Sequence, residues 1–212
     1  ISACLVGSEM CIRDRPLTLD GKPEVLYIGD EWCPYCAAER WALVMALSKF
    51  GTFGPLRGTT SSSSDLNAST PTFSFYRAKY TSKYLAFVPV ERQATNGAPL
   101  QSPTGAQEAL YNKWDAPPYV NAQQAPGIPF VYFAGKYLQV GTQYAGNAIA
   151  GAKFANAAKY LMSGTNPTSK DVEASAGYLV GDLCAISHGQ PASVCSHVPA
   201  QLIGINTSSH KK

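Results

Sequence analysis

An apolar run that stops at a pair of cysteines constrains this chain more than any other feature. Val25-Leu26-Tyr27-Ile28 reads as a buried strand, Gly29-Asp30-Glu31 as a polar turn, and Trp32-Cys33-Pro34-Tyr35-Cys36 as the opening of a helix. One helical turn brings the two sulfurs within bonding reach, so the spacing suits redox chemistry. Cys33 would sit at the helix N-terminus, where unpaired backbone N–H groups and the helix dipole favour a thiolate. Pro34 in the first turn has no N–H to leave unpaired and carries a pre-set φ. Two alternatives stand beside the redox reading: a passive disulfide, and half of a zinc site. Zinc needs four ligands, and Cys184, His188, Cys195 and His197 offer the rest only in a spacing that matches no common zinc pattern.

Trp32-Cys33-Pro34-Tyr35-Cys36 resembles the active-site turn of the thioredoxin superfamily, and its Pro-Tyr dipeptide is like that of glutaredoxins. From about residue 21 to residue 198 the chain also resembles a family of uncharacterised prokaryotic thioredoxin-like proteins, a domain of unknown function. Gly29–Trp41, Thr70–Phe75 and Asp115–Val120 carry that closer likeness. The resemblance implies an α/β thioredoxin-like fold with Cys33 as the attacking thiol and a more buried Cys36 that resolves the mixed disulfide. It also implies that Pro129 is cis and faces the cysteine turn, and that the backbone of Ile128 pairs with a bound peptide. Trp32, Pro34 and Tyr35 would flank that peptide. One departure stands out. Many thioredoxins carry a buried acid six residues before the first cysteine, and this chain has Tyr27 there. Asp30 and Glu31 are expected in an exposed turn, and Glu39 and Arg40 as solvated surface charges.

The remaining pattern fits the same order of elements. The helix from Pro34 carries an apparent core stripe at Trp41, Val44, Met45 and Ser48, and Gly51 stops it. Residues 53–60 read as a second strand parallel to the first. Ser61–Ser64 reads as a solvated loop. Thr72–Tyr76 and Tyr84–Val90 suggest an inserted β-hairpin, within an insertion of about residues 62–103. Thr104 can cap a helix to Trp114. Gly127–Gly141 reads as a proline-led hairpin, 148–162 as a helix, and 171–186 as a helix interrupted by Gly177 and Gly181. The last of these belongs to a C-terminal helical extension, about 168–198. Residues 1–15 look like a translated adaptor, a non-native leader, so Cys4 and Cys11 are set aside and the true N-terminus is taken as missing. The domain then spans 16–198, with a flexible tail at 199–212.

Composition narrows the function. Of 212 residues, 45% are hydrophobic and 15% charged, which suits a globular chain with a real core. The net charge of +3 is not gathered into a basic stripe, so nucleic acid is not an expected partner. Cys184 and Cys195 are expected to form a structural disulfide, which points to an extracytoplasmic setting, secreted or anchored through the missing N-terminus. The sequence therefore supports a monomeric thiol–disulfide oxidoreductase without cofactor or metal. Its partners would be protein thiols or disulfides and an unidentified redox partner. The alternative is a redox-inactive thioredoxin-like binding module stapled by Cys33–Cys36. Pro-Tyr between the cysteines, with no adjacent lysine or arginine, predicts a moderately stabilised Cys33 thiolate. Equilibration against glutathione buffers should then place the couple between about −270 and −180 mV, whereas a value near about −120 mV would reveal a dominating cation or hydrogen bond.

Overall fold

The computed structural model describes residues 16–199 and 202. The leader with Cys4 and Cys11, and the tail apart from residues 199 and 202, lie outside the described residues. Strand β1 (Thr18–Leu19) turns through Asp20 and Gly21, both at positive φ, into β2 (Lys22–Gly29). Helix α1 (Pro34–Leu47) follows directly. Next come four short strands, β3 (Gly51–Phe53), β4 (Arg57–Thr60), β5 (Pro71–Ser74) and β6 (Tyr80–Ser82). Strand β7 (Ala86–Glu91), helix α2 (Gly105–Trp114), and the hairpin β8 (Phe130–Phe133) and β9 (Tyr137–Val140) complete the central layer. Helices α3 (Phe154–Leu161), α4 (Pro167–Ile186) and α5 (Ala192–Cys195) end the described chain.

The fold is mixed α/β. Its main sheet runs β7–β2–β8–β9, with β7 parallel to β2 and the other pairs antiparallel, and β1 attaches at the start of β2. Strand β2 is central and covered on both faces, which is why it is an unbroken apolar run. Alternation along it serves two cores. Val25 and Tyr27 join α1 and α4, among them Ala42, Leu43 and Leu179. Leu26 and Ile28 join Phe130, Tyr132 and Trp114 on the α2 side. The helix ends follow the rules for capping. Thr104 and Gln107 close a capping box on α2, and Asn166 and Ser169 close one on α4, which has Pro167 in its first turn.

Four expectations from the sequence need correction. The parallel partner of β2 is β7, not residues 53–60, which split between β3 and β4 and pair antiparallel with β6 and β5. The physical reason is apolar content. Ala86-Phe87-Val88-Pro89-Val90 can be buried beside β2, whereas Arg57-Gly58-Thr59-Thr60 cannot. The expected inserted hairpin is therefore absent, because its two runs pair elsewhere. Pro89 is tolerated because β7 is the edge of the main sheet. The stripe on α1 is also different. Val44 and Met45 are half-buried and Ser48 is exposed, while Ala38, Ala42, Leu43, Ala46 and Leu47 are buried. Helix α1 lies between the sheet, β5 and α4, so it is covered almost all round and a one-sided period is lost. Finally, α4 runs unbroken through Gly177 and Gly181.

Cys184 near the end of α4 is joined to Cys195 of α5, with Cα atoms 5.5 Å apart. The link ties the short α5 to the long helix that packs on α1. Replacing both cysteines by alanine should lower the unfolding free energy by about 2–4 kcal/mol, read as a lower urea midpoint with the CD spectrum of the folded state kept.

Candidate functional site

The turn after β2 places Cys33 as the N-cap residue of α1, with extended backbone angles (φ −73°, ψ 123°). Its sulfur accepts the backbone N–H of Cys36 at 3.2 Å and lies 3.8 Å from the carbonyl oxygen of Ile128, toward which the thiol points. That contact crosses from α1 to the segment leading into β8. The Ile128–Pro129 peptide bond is cis. Trp32, Cys33, Pro34, Cys36, Ile128 and Pro129 thus meet at one end of the sheet, and Tyr35 stands out from it, 46% exposed.

The two thiols are unjoined and unequal. Cys33 is 3% exposed and Cys36 is fully buried. A hydrogen bond from the Cys36 thiol, with backbone N–H donors and the Arg40 charge behind it, pulls the Cys33 thiol below its ordinary range against the cost of burial. Burial, and then the bond and charge of Cys33, push Cys36 well above its ordinary range. The arrangement can present one nucleophilic sulfur and hold a second in reserve.

Charged side chains form a shell behind this pair, and here the sequence expectation reverses. Arg40 and Glu39 are fully buried, and Asp30 and Glu31 are each 2% exposed. Arg40 makes a two-pronged pair with Glu91 at the end of β7, both contacts 2.8 Å, and donates to the Asp30 carbonyl at 2.8 Å. Asp30 pairs with Arg92 at 2.8 Å, and Glu31 with Arg57 and Ser74. A turn that is polar in sequence is therefore buried because each charge finds its partner on a segment distant in the chain. The cation that could have dominated Cys33 is present as Arg40, but Glu91 offsets it.

Two grooves open beside the cysteines. On the Trp32 side lies a polar one of about 1020 Å³, lined by Glu31, Arg57, Thr59, Ser62 and Thr95 among others. The serine run expected as a solvated loop forms part of its wall, and the Ser62 N–H donates to the Trp32 carbonyl at 2.8 Å. The Trp32 indole donates to Gln93 at 2.7 Å. On the other side a groove of about 680 Å³ runs past Tyr35, Ile128, Val140 and Tyr144. Tyr27, Arg40, Glu91 and Gln93 are the site residues that pattern reading missed. Only the charge that ends the apolar run of β7 hinted at Glu91.

Comparison with known sequences bears on this arrangement. Residues 9–180 match the family described as a domain of unknown function (DUF929). The chain belongs to that family. No curated protein and no solved structure matches it. The DUF929 match takes in the cysteine turn, Glu91, Pro129 and most of α4, leaving Cys184 and Cys195 beyond its end. Those two are bound to each other, so they are not free to complete a zinc site with Cys33 and Cys36.

Glu39 gives the site a pH signature. Burial, opposed by Gln139 and Thr142 beside it, pushes its carboxyl up to about 8, and burial raises Asp182 of α4 to about 8 as well. Both folded values exceed the unfolded ones, so the folded state binds more protons between pH ~4.5 and ~8. The stability these two groups contribute should be full below that window and be lost across it, by about 1.4 kcal/mol per pH unit for each group. Glu39→Gln should flatten the slope, as measured by urea unfolding at a series of pH values.

Proposed function

We propose that the protein is a thiol–disulfide oxidoreductase that exchanges disulfides with protein substrates through Cys33 and Cys36. The observation that carries this reading is the asymmetry of the pair. Cys33 caps α1 with a lowered pKa, next to the Ile128 carbonyl, while Cys36 waits behind it, buried and protonated. Both sulfurs are free thiols, the state in which Cys33 can act as a nucleophile. In this reading Cys33 attacks a substrate disulfide, or accepts one, and Cys36 resolves the intermediate.

Several features support a thioredoxin-like fold as the frame for that chemistry. Strand β2 leads straight into the cysteine helix, β7 lies parallel beside it, and a cis proline opens the antiparallel β8–β9 hairpin. The polar backbone of Ile128, between Tyr35 and the groove beyond, suits an extended peptide. Trp32 and Pro34 would hold the other edge. The Cys184–Cys195 disulfide supports an oxidising, extracytoplasmic setting. Among the described residues, no helix is long and apolar enough to cross a membrane.

Dithiothreitol-dependent reduction of insulin tests the reading. The wild-type protein should accelerate precipitation of the insulin B chain, and Cys33→Ser should abolish the acceleration. Equal rates for the two would remove the redox function and leave the binding module.

A further inference from the structure

The step that resolves a mixed disulfide places negative charge on a fully buried sulfur. Cys36 must lose its proton and attack Cys33 in surroundings that oppose a charge. Something must hold that charge, and two buried donors lie idle around it. The Tyr27 hydroxyl has no hydrogen-bond partner, and neither does Nη1 of Arg40. Buried donors without partners are rare and call for an explanation.

Their placement supplies one. Tyr27 and Gly29 project from the same face of β2, toward α1. A Cβ on Gly29 would stand 2.3 Å from the Tyr27 hydroxyl and 3.1 Å from the Cys36 sulfur. The bare glycine therefore lets hydroxyl and sulfur approach the same point. The Arg40 guanidinium lies 5.8 Å from the centre of the Tyr27 ring, fixed there by Glu91 and the Asp30 carbonyl. Tyrosine and arginine both donate, and neither can take a proton from a thiol at neutral pH in such a place. They suit an anion, not a base.

We propose that the Tyr27 hydroxyl and the Arg40 guanidinium are positioning groups that hold the negative charge of the Cys36 sulfur during resolution. This rests on the redox reading above. In that step the Cys36 sulfur forms a bond to Cys33, and the bond from Cys33 to the substrate sulfur breaks. Cys36 is oxidised, the substrate sulfur is reduced, and the proton lost by Cys36 ends on the departing substrate thiol. The charges that bear on Cys36 are Cys33 and Arg40 on α1, and Arg92 after β7, with Glu91 of β7 reaching the same pocket through Arg40 and Tyr27.

Tyr27→Phe is the deciding variant, because the lost hydroxyl holds no other group and the ring packing on Phe75 remains. A mixed disulfide of Cys33 with nitrothiobenzoate is prepared, and the coloured thiol released by Cys36 is followed by stopped flow. The pH titration of Cys36 is read separately from its Cβ carbon resonance in a Cys33→Ser background. Tyr27→Phe should slow release about tenfold and raise the Cys36 midpoint by about one pH unit, the same free energy read twice. Arg40→Lys, which keeps the charge but not the idle nitrogen, should give a smaller shift in the same direction. Normal release by the wild type with neither quantity changed in Tyr27→Phe would overturn the proposal alone. No release by the wild type would overturn the redox reading, and the resolution step with it.

Discussion

A buried ion pair organises this molecule. Arg40 and Glu91 are both inaccessible to solvent, and a charge there is tolerable only when an opposite charge and hydrogen bonds offset the loss of water. Arg40 binds both oxygens of Glu91 and the carbonyl of Asp30, and Glu91 also accepts the N–H of Phe75. One contact set therefore joins α1, the end of β7, the turn after β2 and the end of β5. These are the segments that surround the cysteines. Removing either partner would leave a buried charge unpaired.

That constraint explains why the cysteine turn can be both polar and buried. Asp30 and Glu31 have their own partners, Arg92 after β7 and Arg57 on β4, both distant in the chain. The shell leaves a small region around Cys36 where donors outnumber acceptors. Elsewhere the interior holds carboxyls in the opposite condition: Glu39 and Asp182 are kept neutral by burial. The same α1 helix thus carries a cysteine biased toward its thiolate, one biased against it, a neutral acid and a paired base within two turns.

The chain also shows how short strands wall a site. Strands β4 and β5 form a small sheet of their own, and β5 packs on α1. Arg57 and Thr59 of β4, with the serine loop that follows, line the polar groove beside Trp32. The opposite groove is more apolar and is built by the segment leading into β8, the end of β9 and the loop after it. A polypeptide laid across Cys33 would meet different chemistry on its two sides.

By itself the sequence determined the local parts. Val25 to Ile28 had to be a buried strand, Pro34 and the alanines after it a helix, and Cys33 the residue at its N-terminus, because periodicity and capping act over a few residues. Thr104 as a cap and the hairpin after Pro129 were legible for the same reason. Only the tertiary structure decided which strands pair and which charges are buried. Residues 53–60 and 86–91 both look extended, and it was competition for the covered place beside β2 that chose between them. Glu39 and Arg40 look like surface residues in any helix. Glu39 is interior because Gln139 of β9 and the loop after it, with Thr142 and Tyr144, come to lie beside it, and Arg40 because Glu91 arrives from 51 residues away to meet the charge.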